Sequence, residues 1–548
     1  MKYYFFLFTV LTFFSCSKSN SDSGTDRRAQ IDSLTLKSVV EKLSSDEFFG
    51  RKPFTEGEVK TVNYLKEQFE KIGLERGNGD SYFQEVPMVE LTAVPSETMI
   101  IAGGKQDVVL KVSEDFVAYT EKVVENSSLD ASELVFAGYG VVAPEYGWND
   151  YEGLDVKGKT VVVLVNDPGF AAGDSTFFKG ETMTYYGRWT YKYEEAARQG
   201  AAGCLIVHET VPAGYPWLVV RNSWSGASLY LDKSGDEFQS DVIGWITREA
   251  AIRIFEASGE DMKNYAERSR SKDFKPLSLG LSATVSVQNK IKKDVSKNVI
   301  AKITGTKNPD EVVIYSAHWD HLGIGNVIDG DSIYNGAHDN ATGMATMMGV
   351  AEAYAKSAKP ERTIVFLAVT AEEQGLLGSK HYAENPIFPV DKSVANINMD
   401  GITYHGPMKD LTVIGYGQSE LEDLAEVLAK KQGRYIMPDP EAGKGYFFRS
   451  DHFNFAKVGI PALYASGSYE HMTKGVEYIA EKNQDYLAGQ YHRPQDEYDS
   501  TTWVFSGMVL DGQLLFDVGW TLSNSDKWPR WKEGSEFKII REGLRTNK

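Results

Sequence analysis

Four apolar runs decide the fold: 298–305 (NVIAKITG), 311–318 (EVVIYSAH), 363–371 (TIVFLAVTA) and 394–400 (VANINMD). They are rich in Val, Ile and Ala and nearly free of charge, the pattern of strands buried on both faces. Among them, 343–356 (GMATMMGVAEAYAK) and 421–433 (LEDLAEVLAKKQG) read as amphipathic helices. This alternation predicts a three-layer α/β domain, with a mixed but largely parallel sheet flanked by helices. In such sheets ligands gather beyond the carboxyl ends of the strands. His318, Glu372, Glu373 and Asp400 each stand at or just past such an end.

Those residues are of metal-ligand type, and Asp339 and His492 extend the set. Two zinc ions about 3.5–4 Å apart need two terminal ligands each and one carboxylate that bridges them. His318, His492, Glu373 and Asp400, with Asp339 as the bridge, meet that requirement and leave Glu372 as a base. Taken singly, each has an ordinary reading. His-x-Asp is usually a surface pair, Asp-Asn before a helix is usually a cap or turn, and Asp400 or His492 alone could be a surface residue. The adjacent Glu372 and Glu373 are harder to dismiss, because like charges after an apolar strand repel unless cations are present. In extended backbone Asp320 lies on the same side as His318 and can orient its imidazole or hold a nearby group of the site, whereas His321 is expected to face away. His338 is expected to diverge from its neighbour Asp339.

The strings SAHWDHLG, NGAHDNATG, VTAEEQGLLGS, NINMDG, RSDHFNFAKVGIPAL and YHRPQDEYD resemble the bacterial co-catalytic di-zinc aminopeptidases. That wider family includes leucyl aminopeptidase, glutamate carboxypeptidase, glutaminyl cyclase and the transferrin receptor. The resemblance implies a zinc-peptidase fold with two zinc ions per subunit. His318, Asp339 and Asp400 would hold one ion, and Asp339, Glu373 and His492 the other. Glu372 would be the catalytic base and Asp320 would orient His318. Cis geometry at Asp339-Asn340 is also implied. Many relatives carry Asp where this chain has His338, a position that is not a ligand. Relatives tend to supply a phenol for the tetrahedral intermediate, and Tyr446 and Tyr491 are the candidates.

Residues 96–289 differ in texture. Short β-rich runs dominate, with the helix WTYKYEEAARQG feeding the strand CLIVHE, and the segment reads as a mostly β insert with one or two helices. ELVFAGYGVVAPEYGWNDYEGLDVKGKTVVVLVNDPGF and YEEAARQGAAGCLIVHE resemble a protease-associated domain, which implies a wall beside the active-site cleft. The peptidase domain is then expected at 31–95 and 290–548. Helical spacing over LTLKSVVEKL and VKTVNYLKEQFEKIGL, stopped by Gly73, predicts two helices in its first part.

The expected activity is release of amino-terminal residues from peptide substrates. A carboxypeptidase of the glutamate-releasing type, or a dipeptidase, is the second reading, and Arg449 would serve it by gripping a substrate carboxylate. A non-catalytic binding protein on the same fold is disfavoured, since no ligand is missing and the base is present. Glutaminyl cyclase chemistry, which uses one zinc, is disfavoured for the same reason.

The 548 residues exceed one ordinary core and suggest two domains. Against 58 basic residues stand 77 acidic ones, giving −19, which disfavours nucleic acid and anionic membranes as partners. Lys2, the apolar run from Tyr3 to Phe14 and Ser15-Cys16 resemble a bacterial lipoprotein signal over 1–16, with Phe13 where Leu is usual. A polar tether over 17–30 follows. The expected location is the cell envelope, lipid-anchored at Cys16, with plain secretion and an incidental cysteine as the alternative, and the expected contact with membrane is through that lipid alone. The other cysteine, Cys204, is read as a core residue without a disulfide partner.

Overall fold

The computed structural model describes residue 1 and residues 28–546 except 171, 225 and 234–238. The expected signal segment with Cys16, apart from Met1, and most of the tether lie outside the described residues. No helix among those described is long and apolar enough to cross a membrane.

Four parallel strands form the middle of the sheet, in the order Arg362–Val369, Asn308–His318, Ser393–Asn398 and Ala462–Ser466. Antiparallel neighbours close both sides: the end of Leu277–Ile303 beside Arg362–Val369, and Asp410–Val413 beside Ala462–Ser466. Side chains alternate between two buried faces. Val313, Tyr315, Ala317, Ile364, Phe366 and Ala368 enter one core, while Val312, Ile314, Val365, Leu367 and Val369 enter another. Helices Ser33–Leu43, Thr342–Lys356 and Ser506–Ser523 cover the first face. Leu377–Glu384 and His452–Lys457 cover the second, through Tyr382 and Phe455. The result is a mixed, largely parallel α/β sheet between helical layers.

The helix at Thr342–Lys356 is not amphipathic as expected. Every residue from Thr342 to Ala351 is buried, because the helix is sandwiched between Ser33–Leu43 and Ser506–Ser523. Close approach requires small residues there: a Cβ on Gly349 would stand 2.8 Å from Leu36 Cδ2. Glu420–Lys431 does have one buried face, formed by Leu421, Ala425, Leu428 and Ala429, and Ser419 caps its start.

The insert has cores of its own, built from residues such as Phe136, Leu205 and Ile254 and from Val161, Ile206 and Trp245. Its parallel strands Thr160–Leu164, Gly203–His208 and Val242–Thr247 pair side by side. It is more helical than the sequence reading allowed. Thr210–Ala213, Trp217–Ser223, Arg248–Ser258 and Met262–Arg268 join the expected Trp189–Arg198. Most of these are too short for a helical period to stand out. The boundary expected at 289–290 falls inside a strand. Leu277–Ile303 is one strand of 27 residues, and Phe83–Pro95 pairs with it from Val299 back to Val287. This two-stranded ribbon joins the insert to the peptidase sheet.

Candidate active site

Register sets the site. His318 pairs with Val369, four residues before Glu373, and Ser316 pairs with Asn398, two before Asp400. The carboxyl ends of three adjacent strands therefore deliver His318, Glu372, Glu373 and Asp400 to one place. Asp339 comes from the turn that enters helix Thr342–Lys356, where the Asp339-Asn340 peptide bond is cis. His492 comes from the segment after helix Gly475–Gly489. Ala371, just before the glutamates, and His492 itself adopt φ of +52° and +55°, conformations that L-residues seldom take.

The side chains converge. His318 Nε2 lies 3.2 Å from Asp339 Oδ1, 3.3 Å from Asp400 Oδ1 and 4.0 Å from Glu372 Oε2. His492 Nε2 lies 3.0 Å from Glu373 Oε2 and 3.4 Å from Asp339 Oδ2. Asp339 thus stands between two clusters, with one oxygen toward each.

Two expectations need correction. His321 does not turn away: it is buried, and its Nδ1 lies 2.6 Å from Glu373 Oε1. The strand ends at His318, so the period-two argument does not extend to residue 321. Asp320 does not hold the imidazole through its carboxylate, which is 3.8 Å from His318 Nδ1. The main-chain oxygen of Asp320 lies nearer, at 3.2 Å. Its carboxylate accepts the backbone N–H groups of Glu372 and Glu373, at 3.0 and 3.4 Å, and so fixes the paired glutamates.

Three supporting groups were missed. Asp496 accepts the backbone N–H groups of His338 and Asp339 at 2.9 and 3.1 Å. Ser450 donates to Asp400 Oδ2 at 2.6 Å and in turn accepts from Asn398. Arg51 is buried and donates to the main-chain oxygens of Leu43, Trp319, Asn335 and Gly336, tying together the loops that follow His318 and precede Asp339. Nothing local in FFGRKP announces that role. Burial lowers the Arg51 pKa to about 10, against the pull of Asp320, Asp496, Asp339 and Glu373.

Of the phenols, the Tyr491 ring stacks on His492 at 3.9 Å. Burial and then the carboxylates of Asp339, Glu373, Glu372 and Asp400 raise its pKa. Tyr446 lies under Arg449 instead, at 5.1 Å. Tyr464, not singled out from sequence, lines the same cleft. His338 joins neither donor trio but lines the cleft, with its ring 4.7 Å from that of Tyr486.

The charges suit a cation. Burial disfavours charge on His318, but Glu372, Asp400 and Asp339 outweigh it and hold the imidazole well above its usual pKa. His492 is raised to about 10 against burial, by Glu373 and Asp339. Burial, with repulsion from Asp400 and Glu373, pushes Glu372 well above the carboxylate range. The four carboxylates thus draw positive charge from whatever lies near. Glu373 Oε1 and His492 Nε2 are buried without aligned hydrogen-bond partners. Donor atoms of His318, Glu372 and Asp400, and of His321, Asp339 and Glu373, lie within 4.8 Å of one another in each trio. This donor set of imidazole nitrogens and carboxylate oxygens fits divalent zinc. The two trios differ from the sets implied by resemblance, since Glu372 and His321 take part.

The profile of Peptidase family M28 matches residues 298–515. Among curated proteins, the chain is 35% identical over 123 residues to "Probable zinc metalloprotease" of Pyricularia oryzae, covering 22% of this chain and 22% of that protein. It is 32% identical over 127 residues to "Aminopeptidase NAALADL1" of Mus musculus, covering 22% and 16%. It is 31% identical over 270 residues to "Probable glutamate carboxypeptidase" of Arthroderma benhamiae, covering 46% and 33%. The chain thus spans a third or less of the length of these relatives. An aminopeptidase structure from Aneurinibacillus sp. strain AM-1 aligns over 91% of this chain and 96% of that one, at 19% identity and a TM-score of 0.48. The segment 298–515, which carries all six converging residues, is a domain of peptidase family M28.

Proposed function

We propose that this chain is a zinc-dependent exopeptidase that releases amino-terminal residues from peptides, with two zinc ions per subunit. The observation that carries the reading is Asp339, whose two oxygens face His318 on one side and His492 on the other, at 3.2 and 3.4 Å. That is the geometry a bridging carboxylate needs. His318, Asp339 and Asp400 would hold one ion, and Asp339, Glu373 and His492 the other. Zinc there supplies Lewis-acid polarisation of a carbonyl and acidifies water at neutral pH. Glu372 accepts the proton of the attacking water and returns it to the leaving amine. Asp320 keeps Glu372 and Glu373 in place through their backbone N–H groups. The Tyr491 phenol, beside His492, donates to the developing oxyanion. Asp339, Glu373 and Asp400 offer negative charge to the substrate's ammonium group.

The insert supplies one wall of the cleft, through Arg188, Trp189 and Tyr230 among others. Attachment to the cell envelope through a lipid on Cys16 belongs to the same proposal, and metabolic labelling with an azido fatty acid tests it. The activity is tested with zinc-loaded protein on matched peptides with free and acetylated amino termini. Cleavage of the free form alone is expected. Equal cleavage of the acetylated form would overturn the aminopeptidase reading.

A further inference from the structure

The segment 531–541, which follows the long helix Ser506–Ser523, takes no part in the chemistry above. It nevertheless grips the insert. Glu536 and Phe537 are almost wholly buried. The Glu536 carboxylate accepts from Lys179 Nζ at 2.7 Å and from the backbone N–H of Tyr185 at 3.1 Å, both in the insert. Burial opposes charge on Glu536, but Lys179 outweighs it and holds the carboxyl below its usual range. Phe537 shares an apolar cluster with Met183 of the insert and with Phe447, Phe448 and Phe453 of the peptidase domain. Its ring lies 6.5 Å from that of Tyr185 and 6.3 Å from that of Phe453. The segment is itself anchored in the peptidase domain. Trp531 donates to the main-chain oxygen of Gly459 at 3.0 Å, and Arg541 donates to those of Val390 and Ser393 at 3.0 and 2.8 Å.

What the segment grips leads to the cleft. Tyr185 opens the turn Tyr185–Gly187, and helix Trp189–Arg198 follows with Trp189 in the cleft wall. The Tyr185 hydroxyl donates to Glu194 in that helix, and Glu194 pairs with Lys457 at 2.7 Å. Upstream, Phe178 and Lys179 take φ of +48° and +61°, conformations that L-residues seldom adopt. Such strain persists where surrounding contacts over-determine the backbone, and the Lys179–Glu536 pair is one of those contacts. The insert's covalent links to the peptidase domain are the two strands of the ribbon. A 590 Å³ cavity at the junction is lined by Tyr185, Glu194, Lys457, Glu536 and Phe537, so packing alone does not fix the insert there. Domains that meet through a polar, incompletely packed interface move relative to one another by default.

We propose that segment 531–541 is a clasp that sets how closely the insert stands over bound substrate. Glu536 and Phe537 are positioning residues that act through Tyr185, and neither lines the cleft itself. The clasp matters for the part of a peptide that extends past the scissile bond to the insert wall. The zinc-ligand cluster is built by strand ends of the peptidase domain and does not depend on it. This inference rests on the exopeptidase reading for its kinetic consequence alone.

The test compares zinc-loaded wild-type protein with Glu536→Gln, Phe537→Leu, Glu536→Lys and the charge-swapped pair Glu536→Lys with Lys179→Glu. Hydrogen exchange read by mass spectrometry requires no turnover. Glu536→Gln should speed exchange over 185–198 severalfold and leave strands Asn308–His318 and Arg362–Val369 unchanged. In kinetics, Glu536→Gln and Phe537→Leu should each raise KM for Leu-Ala-Ala-Ala by about fivefold with kcat nearly unchanged. Leucine amide, which ends at the scissile bond, should be hydrolysed as by wild-type protein. The swapped pair should recover part of what Glu536→Lys alone loses, and only part, because lysine cannot accept from the Tyr185 N–H. Identical exchange over 185–198 in wild-type protein and Glu536→Gln would overturn the clasp, as would equal losses on tetrapeptide and amide. If wild-type protein cleaves neither substrate, the exopeptidase reading fails, and the exchange comparison still decides for or against the clasp.

Discussion

Nδ1 of His321 lies 2.6 Å from Oε1 of Glu373, while Oε2 of the same carboxylate lies 3.0 Å from Nε2 of His492. Glu373 is thus clamped between two imidazoles, one buried behind it and one facing the cleft. Without His321, Glu373 is free to swing from Asp339, which repels it. His321→Ala is therefore expected to weaken one of two zinc sites by about 10–100-fold, as loss of a supporting partner commonly does. Competition with a fluorescent chelator, read as two separate affinities, checks this. Unchanged binding at both sites would sink the clamping role.

Glu372→Gln keeps the shape of the side chain but removes its basicity. The variant should retain metal content and fold while kcat falls by about 10²–10⁴-fold, the usual contribution of a general base. Turnover near the wild-type rate would show that another group accepts the proton. Zinc content, measured alongside activity, separates a lost base from a lost ligand.

Asp339→Ala removes the one carboxylate that faces both imidazoles. Both metal sites should weaken together, and activity should vanish with them. Chelation of wild-type protein should likewise abolish turnover, with zinc or cobalt restoring it. Loss of a single metal in the variant would mean that Asp339 does not bridge.

The sequence made the strand ends legible because each ligand sits where an apolar run stops, and the sheet brings such stops together. Glu372, Glu373, His318 and Asp400 could be gathered on that ground alone. His321 could not be read correctly, because alternation holds only while the strand lasts and this strand ends three residues earlier. Arg51 and Asp496 were invisible for a different reason. Each acts across more than 150 residues of chain on backbone atoms, and such contacts leave no periodic trace. The ribbon joining the two domains was hidden because β-alternation through LSATVSVQNKI continues unbroken across the expected boundary.

His452 offers a test of the fold that is independent of metal. It is fully buried, with its ring against Phe447 at 4.6 Å and Tyr464 at 5.1 Å. Burial lowers its pKa from 6.5 to about 3, only partly opposed by the Phe447 backbone. Once unfolded, the imidazole takes a proton below about pH 6.5, whereas in the folded protein it stays neutral down to about pH 3. The unfolded state therefore binds the extra proton in that window. The stability that a neutral His452 allows is fully present above pH 6.5 and is lost as pH falls toward 3. One proton changes stability by about 1.4 kcal/mol per pH unit, so about 2–3 kcal/mol should disappear between pH 6.5 and 4.5 through this residue. His452→Phe keeps a ring in the same apolar setting without a titrating group. Urea unfolding at the two pH values should show a smaller loss for the variant by that amount, and an identical loss in both proteins would mean that His452 is already charged, or solvated, in the native state.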